Sequence, residues 1–335
     1  MIQILSNSTR VHKIFGEVVS EALTDLGIPF VFETSVFEIT NKPGRLTLNK
    51  LFNVPMFWKS MNNLRKGYKT IFLLSPAMFA IPALVVSRLI NQKVYYVLHE
   101  PILEQRNFYS LITNKVNKIF VYLSTHIIVL SEKSFKDTLK LNFKGQIIKT
   151  HWPSGSNRNL DKNLSKRAYI SFIGNLSENK NFELFLETVE KLDEKIFIGG
   201  SGDFSKYHKR INQIKDCTFL NRFLTDEEFN HFLSQSKFVL LPYKSSTQSA
   251  VLFDSFKNGT PLITSDKGSF REFIDNGENG YVLKLKNFKE EAIEIIKSSN
   301  QKEIRRMSNN NYQKFTLNFS SELCRSDLKK VLCEK

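Results

Sequence analysis

Cysteine is scarce: Cys217, Cys324 and Cys333 make an odd count of three in 335 residues. Their spacing fits neither a zinc site nor a disulfide framework, and it predicts a chain suited to a reducing cytosol. No His/Cys cluster suggests zinc. No Asp-x-Asp pair is present, so the usual carboxylate clamp for a divalent metal on a diphosphate is missing, and no metal or cofactor is expected. A P-loop lysine motif and a nucleophilic serine elbow are also absent. There is no internal repeat or low-complexity segment. The first residues, MIQIL, run straight into polar SNSTR, which predicts no secretory leader.

One stretch alone is short of charge. Thr70 to Ser87 holds no ionisable residue over 18 positions, between Lys69 and Arg88. That is the lower limit for a membrane span. Ser75-Pro76 and Pro82 interrupt it, so it is expected to be a buried strand, Ile71–Leu74, followed by a buried helix, Ala77–Leu89.

Acidic residues are in deficit, 33 against 48 basic, for a formal net charge of +15. From Lys42 to Lys149 there are 17 Lys and Arg but only four Asp and Glu, so +13 of the excess lies there. Within it, Leu51–Tyr68 mixes Phe52, Phe57 and Trp58 with Lys59, Arg65 and Lys66. Basic residues among aromatics suit an anionic membrane surface. The same composition fits a solvated lysine-rich face and, less well, nucleic acid. A membrane partner is expected and a nucleic-acid partner is not.

The apolar pattern alternates strand and helix. Strands are expected at Ile2–Leu5, Pro29–Glu33, Ile71–Leu74, Val94–Leu98 and His126–Leu130. Val11, Ile14, Phe15, Val18, Val19 and Ala22 recur at helical spacing, and Gly27 stops that helix. Pro153 to Arg158 is a turn-rich break. Alternation resumes at Tyr169–Ile173, Lys195–Ile198, Thr218–Leu220, Phe238–Leu241, Pro261–Thr264 and Tyr281–Leu283. Thr225 to Glu228 reads as a capping box opening a helix that ends near Ser236. The pattern implies an α/β protein of two Rossmann-like domains facing a central cleft. The expected domains are 1–155, 156–315, and a C-terminal helix over 316–335 that packs back toward the first domain.

The chemistry centres on Phe238 to Leu283. A loop of small residues, Ser245 to Ser249, separates an apolar strand from a helix ended by Gly259. Free N–H groups at Ser249, Ala250 and Val251, with the positive end of the helix dipole, suit a phosphate. An ordinary capped helix gives the same pattern. Asp254, one turn on, is placed to accept from ribose hydroxyls, or is a surface aspartate. Lys180, six residues past Gly174, can reach a diphosphate; taken alone it is an exposed lysine before a helix. His99 ends the strand Val94–Leu98, where it can orient a sugar or be satisfied by local backbone.

Four segments together resemble the retaining GT-B glycosyltransferases of family 4, the glycosyl transferases group 1. Phe172 to Asn181 resembles that family's strand–Gly–loop–Lys element. Ile198 to Gly202 resembles its second glycine turn. Phe219 to Glu228, with Arg222 and Phe223, resembles the segment that faces the base. Asp254 to Ser265, followed by Asp266, Gly268 and Glu272, resembles its acid-to-Gly-x-Pro stretch. The family usually carries two glutamates with seven residues between them; here their places fall on Ser246 and Asp254. An arginine common after the glycine is Asn175 here, and Arg222 is the candidate to replace its charge. The loop Thr247, Gln248, Ser249, Ala250 resembles a variant of some polysaccharide-building members.

The resemblance implies transfer of a sugar, with retention, from a nucleotide-diphosphate sugar to an acceptor hydroxyl. The donor would lie on Gly174, Asn175, Lys180, Arg222, Phe223, Thr247, Gln248, Ser249, Ala250, Val251 and Asp254, with His99 and Ser246 at the reacting centre. The basic first half suggests a lipid-linked saccharide acceptor at the cytoplasmic membrane face, as in bacterial surface-polysaccharide synthesis. Ser246 in a glutamate's place leaves open a non-catalytic nucleotide-sugar-binding protein. A nucleotide-sugar epimerase on the same plan would need a carboxylate base, for which Glu100 is the loose candidate.

Overall fold

The computed structural model describes residues 1–7, 10–35, 54–76, 80–102, 108–150, 167–245 and 249–333. The linker break and His151 and Trp152, Ser246 to Gln248, and Leu51 to Asn53 of the basic-aromatic stretch lie outside them. Two compact units are present, Met1–Gly155 with Ser320–Lys335, and Ser156–Phe319.

The first unit holds strands β1 (Ile2–Asn7), β2 (Phe30–Ser35), β3 (Thr70–Leu73), β4 (Lys93–Val97), β5 (His126–Val129) and β6 (Gln146–Lys149). Its helices are α1 (Arg10–Asp25), α2 (Val54–Arg65), α3 (Ile81–Leu89), α4 (Phe108–Leu123) and α5 (Glu132–Leu139). All strand pairs are parallel, in the order β2-β1-β3-β4-β5-β6. The uncharged run splits as its prolines suggest, into a buried strand and a helix with Pro82 in its first turn, where the missing N–H costs nothing; the helix is buried only on one face, with Val85 and Leu89 exposed, and residues 77–79 lie outside the described residues. Leu5, Leu73, Tyr96, Phe120 and Val129 meet in the core between sheet and helices.

The second unit has β7 (Tyr169–Ile173), β8 (Lys195–Gly199), β9 (Cys217–Leu220), β10 (Ser236–Leu241), β11 (Leu262–Ser265) and β12 (Gly280–Leu283). Between and after them come α6 (Phe182–Val189), α7 (His208–Gln213), α8 (Asp226–Gln235), α9 (Ala250–Lys257), α10 (Phe270–Phe273), α11 (Phe288–Ser298) and α12 (Gln301–Asn318). The order is β12-β11-β10-β7-β8-β9, again all parallel. The chain runs outward one way from β7 and then the other way from β10, so β7 and β10 flank the topological switch point. The core is rich in phenylalanine: Phe172, Phe182, Phe185 and Phe204 are buried, with Phe172 and Phe182 edge-to-face at 4.8 Å. The capping box at Thr225 forms as the sequence indicates, and a second one at Asn300 opens α12.

This unit runs through Phe319, past residue 315, because Phe315 is buried and Phe319 packs on Phe253, Phe256 and Phe273. The last helix, α13 (Ser321–Cys333), belongs to the first unit and lies on α1. Arg325 and Lys329 both pair with Asp25 and hold its carboxyl down to about 2. Cys324 and Leu328 are buried beneath, and the Thr150 hydroxyl donates to Asp327 at 3.1 Å.

Arg167, just before β7, is almost fully buried. Its guanidinium donates to the carbonyls of Leu233 at 3.2 Å, Ser236 at 3.0 Å and Asn258 at 2.7 Å, and to the Thr260 hydroxyl at 3.2 Å. Leu233 lies in the last turn of α8 and Asn258 caps α9, so one cation satisfies two helix C-termini. Burial pulls its pKa down to about 10, so it stays charged at neutral pH. Arg167→Met removes four hydrogen bonds from these acceptors, although Thr260 Oγ1 still donates to Leu233 O at 2.7 Å, and is expected to destabilise the second unit by roughly 3 kcal/mol. Urea denaturation followed by amide exchange in β7 and β10 measures it; protection unchanged from wild type would show that the pin is dispensable.

Candidate functional site

The loops leaving the carboxyl ends of β7, β8 and β10 are fastened to one another through backbone. Gly174 N–H donates to Gly199 O at 2.8 Å, Leu176 N–H to Ser201 O at 2.9 Å, and Lys244 N–H to Asn179 O at 2.7 Å. Ser201 Oγ donates to Asn175 Oδ1 at 3.0 Å. The approach depends on glycine. A Cβ at Gly200 would sit 2.1 Å from the Gly174 carbonyl oxygen, and both residues have positive φ, +147° and +116°.

Lys180 ends a 3₁₀ turn, Glu178–Lys180. Asn181 follows in the left-handed conformation, φ 53°, and turns the chain into α6, which buries Phe182 and Phe185. The turn carries the ammonium back over the strand end: a Cβ at Gly174 would lie 2.8 Å from Lys180 Nζ. The same Cβ would lie 3.6 Å from Val251, in the first turn of α9. So the glycine, the lysine and the helix N-terminus that the sequence singles out meet at the switch point between β7 and β10. Loss of water pulls the half-buried Lys180 ammonium down to about 8, and no carboxylate among the described residues pairs with it.

Ser249 caps α9 without a side-chain hydrogen bond to its N–H groups, and the first turn holds no acid. Tyr243 is buried next to it, its backbone carbonyl accepting from Ser265 Oγ at 2.6 Å and its hydroxyl pushed up to about 12 by desolvation. Asp254 is 9% exposed, one turn beyond Val251 on the same helical face. Tyr243 has no signal in the sequence, where it reads as the end of an apolar strand.

Arg222 and Phe223 follow β9, the edge strand, two strands from β7. Arg222 forks onto Glu228, at 2.7 and 2.6 Å, and Glu228 also completes the cap of α8. The pair holds the Glu228 carboxyl down to about 2. The structure thus places Arg222 in a capping ion pair and not beside Lys180. Phe223 is an exposed ring.

In the first unit, His99 lies half-buried two residues past β4. Its backbone is fixed from two helices. Ser134 Oγ of α5 donates to His99 O at 3.3 Å, and Asn117 Nδ2 of α4 donates to Glu100 O at 2.7 Å. Tyr96, fully buried, donates in turn to Asn117 Oδ1 at 3.3 Å. Asn117 was invisible as a positioning residue in the sequence, since one asparagine on a helix carries no pattern. Among the described residues, no three His, Cys, Asp or Glu side chains gather as a metal-binding set.

Residues 167–299 match the family model described as glycosyl transferases group 1, so the second unit carries a domain of that type. An uncharacterized glycosyltransferase of Methanocaldococcus jannaschii is 25% identical over 223 residues, covering 63% of this chain and 61% of its own length. The O-antigen biosynthesis glycosyltransferase WclY of Escherichia coli is 31% identical over 106 residues, 30% of this chain and 29% of its own length. The chain thus spans about three fifths or less of these relatives. HepE of Anabaena, solved with UDP, covers 100% of both chains with a TM-score of 0.72 at 12% identity. That likeness establishes the fold: two Rossmann-like domains of the GT-B type.

The site makes one prediction without any ligand. In protein labelled at lysine Cε, the Lys180 resonance should titrate near pH 8, well below the ordinary 10.5. Gly174→Ala should push the ammonium outward and raise that midpoint toward 10.5. A Lys180 midpoint at 10 or above in the wild type would remove the desolvated cation from the site.

Proposed function

We propose that this chain is a nucleotide-sugar-dependent glycosyltransferase. One observation carries the proposal: a desolvated lysine with no carboxylate partner among the described residues, held at the switch point against a helix N-terminus, within a domain of the glycosyl transferases group 1 type. A desolvated cation beside a positive helix end is stabilised by an anion between them, and a diphosphate fits that place. HepE, of the same fold, is solved with UDP and with UDP-glucose.

In the proposed mechanism the donor diphosphate lies on Lys180 and the N–H groups opening at Ser249, Ala250 and Val251. These stabilise the charge that grows on the leaving diphosphate. Gly174 and Asn175 leave room for the phosphates, and Asp254 accepts from the ribose. Phe223 is an open face for the base. Arg222 reaches the diphosphate only by leaving Glu228. The donor-binding roles that the sequence resemblance implies for Ser246, Thr247 and Gln248 belong to the same proposal. His99, just past β4, is proposed to orient a sugar. Retention of configuration, independence of metal, and a lipid-linked saccharide acceptor at the cytoplasmic membrane face are parts of the same proposal.

The test is a thermal-shift titration with UDP, GDP, CDP and their sugars, with and without EDTA. One nucleotide diphosphate should raise the melting point, with or without EDTA. Lys180→Met should weaken its binding by roughly ten- to hundredfold, the loss of one charge-assisted hydrogen bond. Affinity should hold below pH 8 and fall above it, because the free ammonium deprotonates there. No shift with any nucleotide at saturation would end the donor-site proposal, and binding without turnover across lipid-linked acceptors would favour a non-catalytic binder.

A further inference from the structure

The large exposed apolar side chains are concentrated on one side of the first unit. Val85, Leu89 and Ile90 belong to the end of α3, and Leu111, Ile112, Ile119 and Tyr122 to α4. Leu89 is 77% exposed and Tyr122 76%. On α4 the outward residues Leu111, Ile112, Lys115, Lys118, Ile119 and Tyr122 recur at helical spacing, and the helix contains no acid. Its outer face is therefore apolar and cationic, where a solvated helix face is normally polar with both signs.

Next to this face is a depression of about 470 Å³ at the amino-terminal ends of β4, β5 and β6, the pole opposite His99. Arg88, Lys118, Lys140 and Lys144 line it, with Tyr122, and no carboxylate does. Lys140 pairs with Asp137 at 2.6 Å. No carboxylate among the described residues pairs with Arg88, Lys118 or Lys144. Three helices end at this pole, so cations there could simply serve as C-terminal counter-charges. Local donors already supply the capping hydrogen bonds. Ile90 N–H donates to Val86 O, Ser124 N–H to Val121 O, Ser124 Oγ to Phe120 O, and Leu141 N–H to Thr138 O. Nothing among the described residues claims the three cations, so they can face a partner outside the chain.

We propose that this face docks on an anionic lipid bilayer, with phospholipid phosphates at Arg88, Lys118 and Lys144 and with Leu89, Ile119 and Tyr122 set among the headgroups. Charge complementarity selects an anionic partner. The adjoining apolar stripe selects a lipid surface over a soluble phosphate, which has nothing to offer it. The proposal deepens the membrane-side reading of the acceptor, and it moves the contact from the Leu51–Tyr68 stretch to α3 and α4. It uses no residue of the donor site.

The experiment is co-sedimentation of the full chain with vesicles of phosphatidylcholine alone and of phosphatidylcholine with an equal share of phosphatidylglycerol, at physiological salt. Binding should favour the anionic vesicles at least tenfold. Arg88→Gln/Lys118→Gln/Lys144→Gln should weaken it by about a hundredfold, near fivefold per charge. Leu89→Ser/Ile119→Ser/Tyr122→Ser should leave binding that 0.5 M salt abolishes, whereas the wild type retains part of its own. Lys66→Gln, at the end of α2, should change partition less than twofold. All these variants should keep the wild-type response to nucleotides, so failure of docking and failure of the donor site stay separate. Equal partition to both vesicle types, or no effect from both triple variants, overturns the proposal. So does salt-sensitive binding of an oligonucleotide with none to vesicles, or a dimer that these substitutions dissociate.

Discussion

The second unit is organised around a cation kept from water without a fixed counter-charge. Lys180 loses hydration over the end of β7, and α9 presents its positive end to the same place. Both effects oppose the charged ammonium. The lone ammonium therefore costs stability at neutral pH, and that cost is relieved as pH rises from about 8 toward 10.5. An anion inverts the balance: the same dehydration that penalises the lone cation strengthens its attraction to a bound phosphate.

The fold brings that arrangement about with little strain. In a parallel sheet every strand delivers its chain to the same pole, and only at the switch point do the following loops leave in opposite directions. Here those are the loops after β7 and β10. Gly174 and Gly200 let their backbones approach to a distance that no Cβ permits, and the left-handed Asn181 folds the lysine back over the gap. Behind it, the buried rings of Phe172, Phe182 and Phe185 fix the start of α6 and hence the turn that carries Lys180.

Sequence pattern located this unit well because its signals are local. Gly174 to Lys180 is one strand–turn–helix junction, Ser249 to Asp254 another, and each is read along the chain. What pattern could not show was competition between distant groups. Arg222 looked available to a diphosphate until Glu228, six residues on, claimed its guanidinium. Strand β6 escaped notice because an edge strand of four residues, exposed at both ends, has no apolar run to mark it. The C-terminal helix was legible as a helix packing back toward the first domain, but its contact residues were not: Arg325 meets Asp25 across 300 residues. The outward stripe of α4 was hidden for the opposite reason, since an apolar helical residue reads as core until its exposure is known.

Arg167 and Lys180 show why burial of a cation does not by itself identify a site. Both belong to the same sheet, one at each pole, and dehydration lowers the pKa of each. Arg167 sits where helices end, and its planar fork fills with carbonyl oxygens that need donors. That charge is consumed by the fold. Lys180 sits near the start of α9, whose N–H groups are themselves donors, and no carboxylate among the described residues pairs with it. Helix polarity thus sorts the two: at the carboxyl ends of helices a buried cation completes the structure, and at an amino end it leaves a place for an anion from solution.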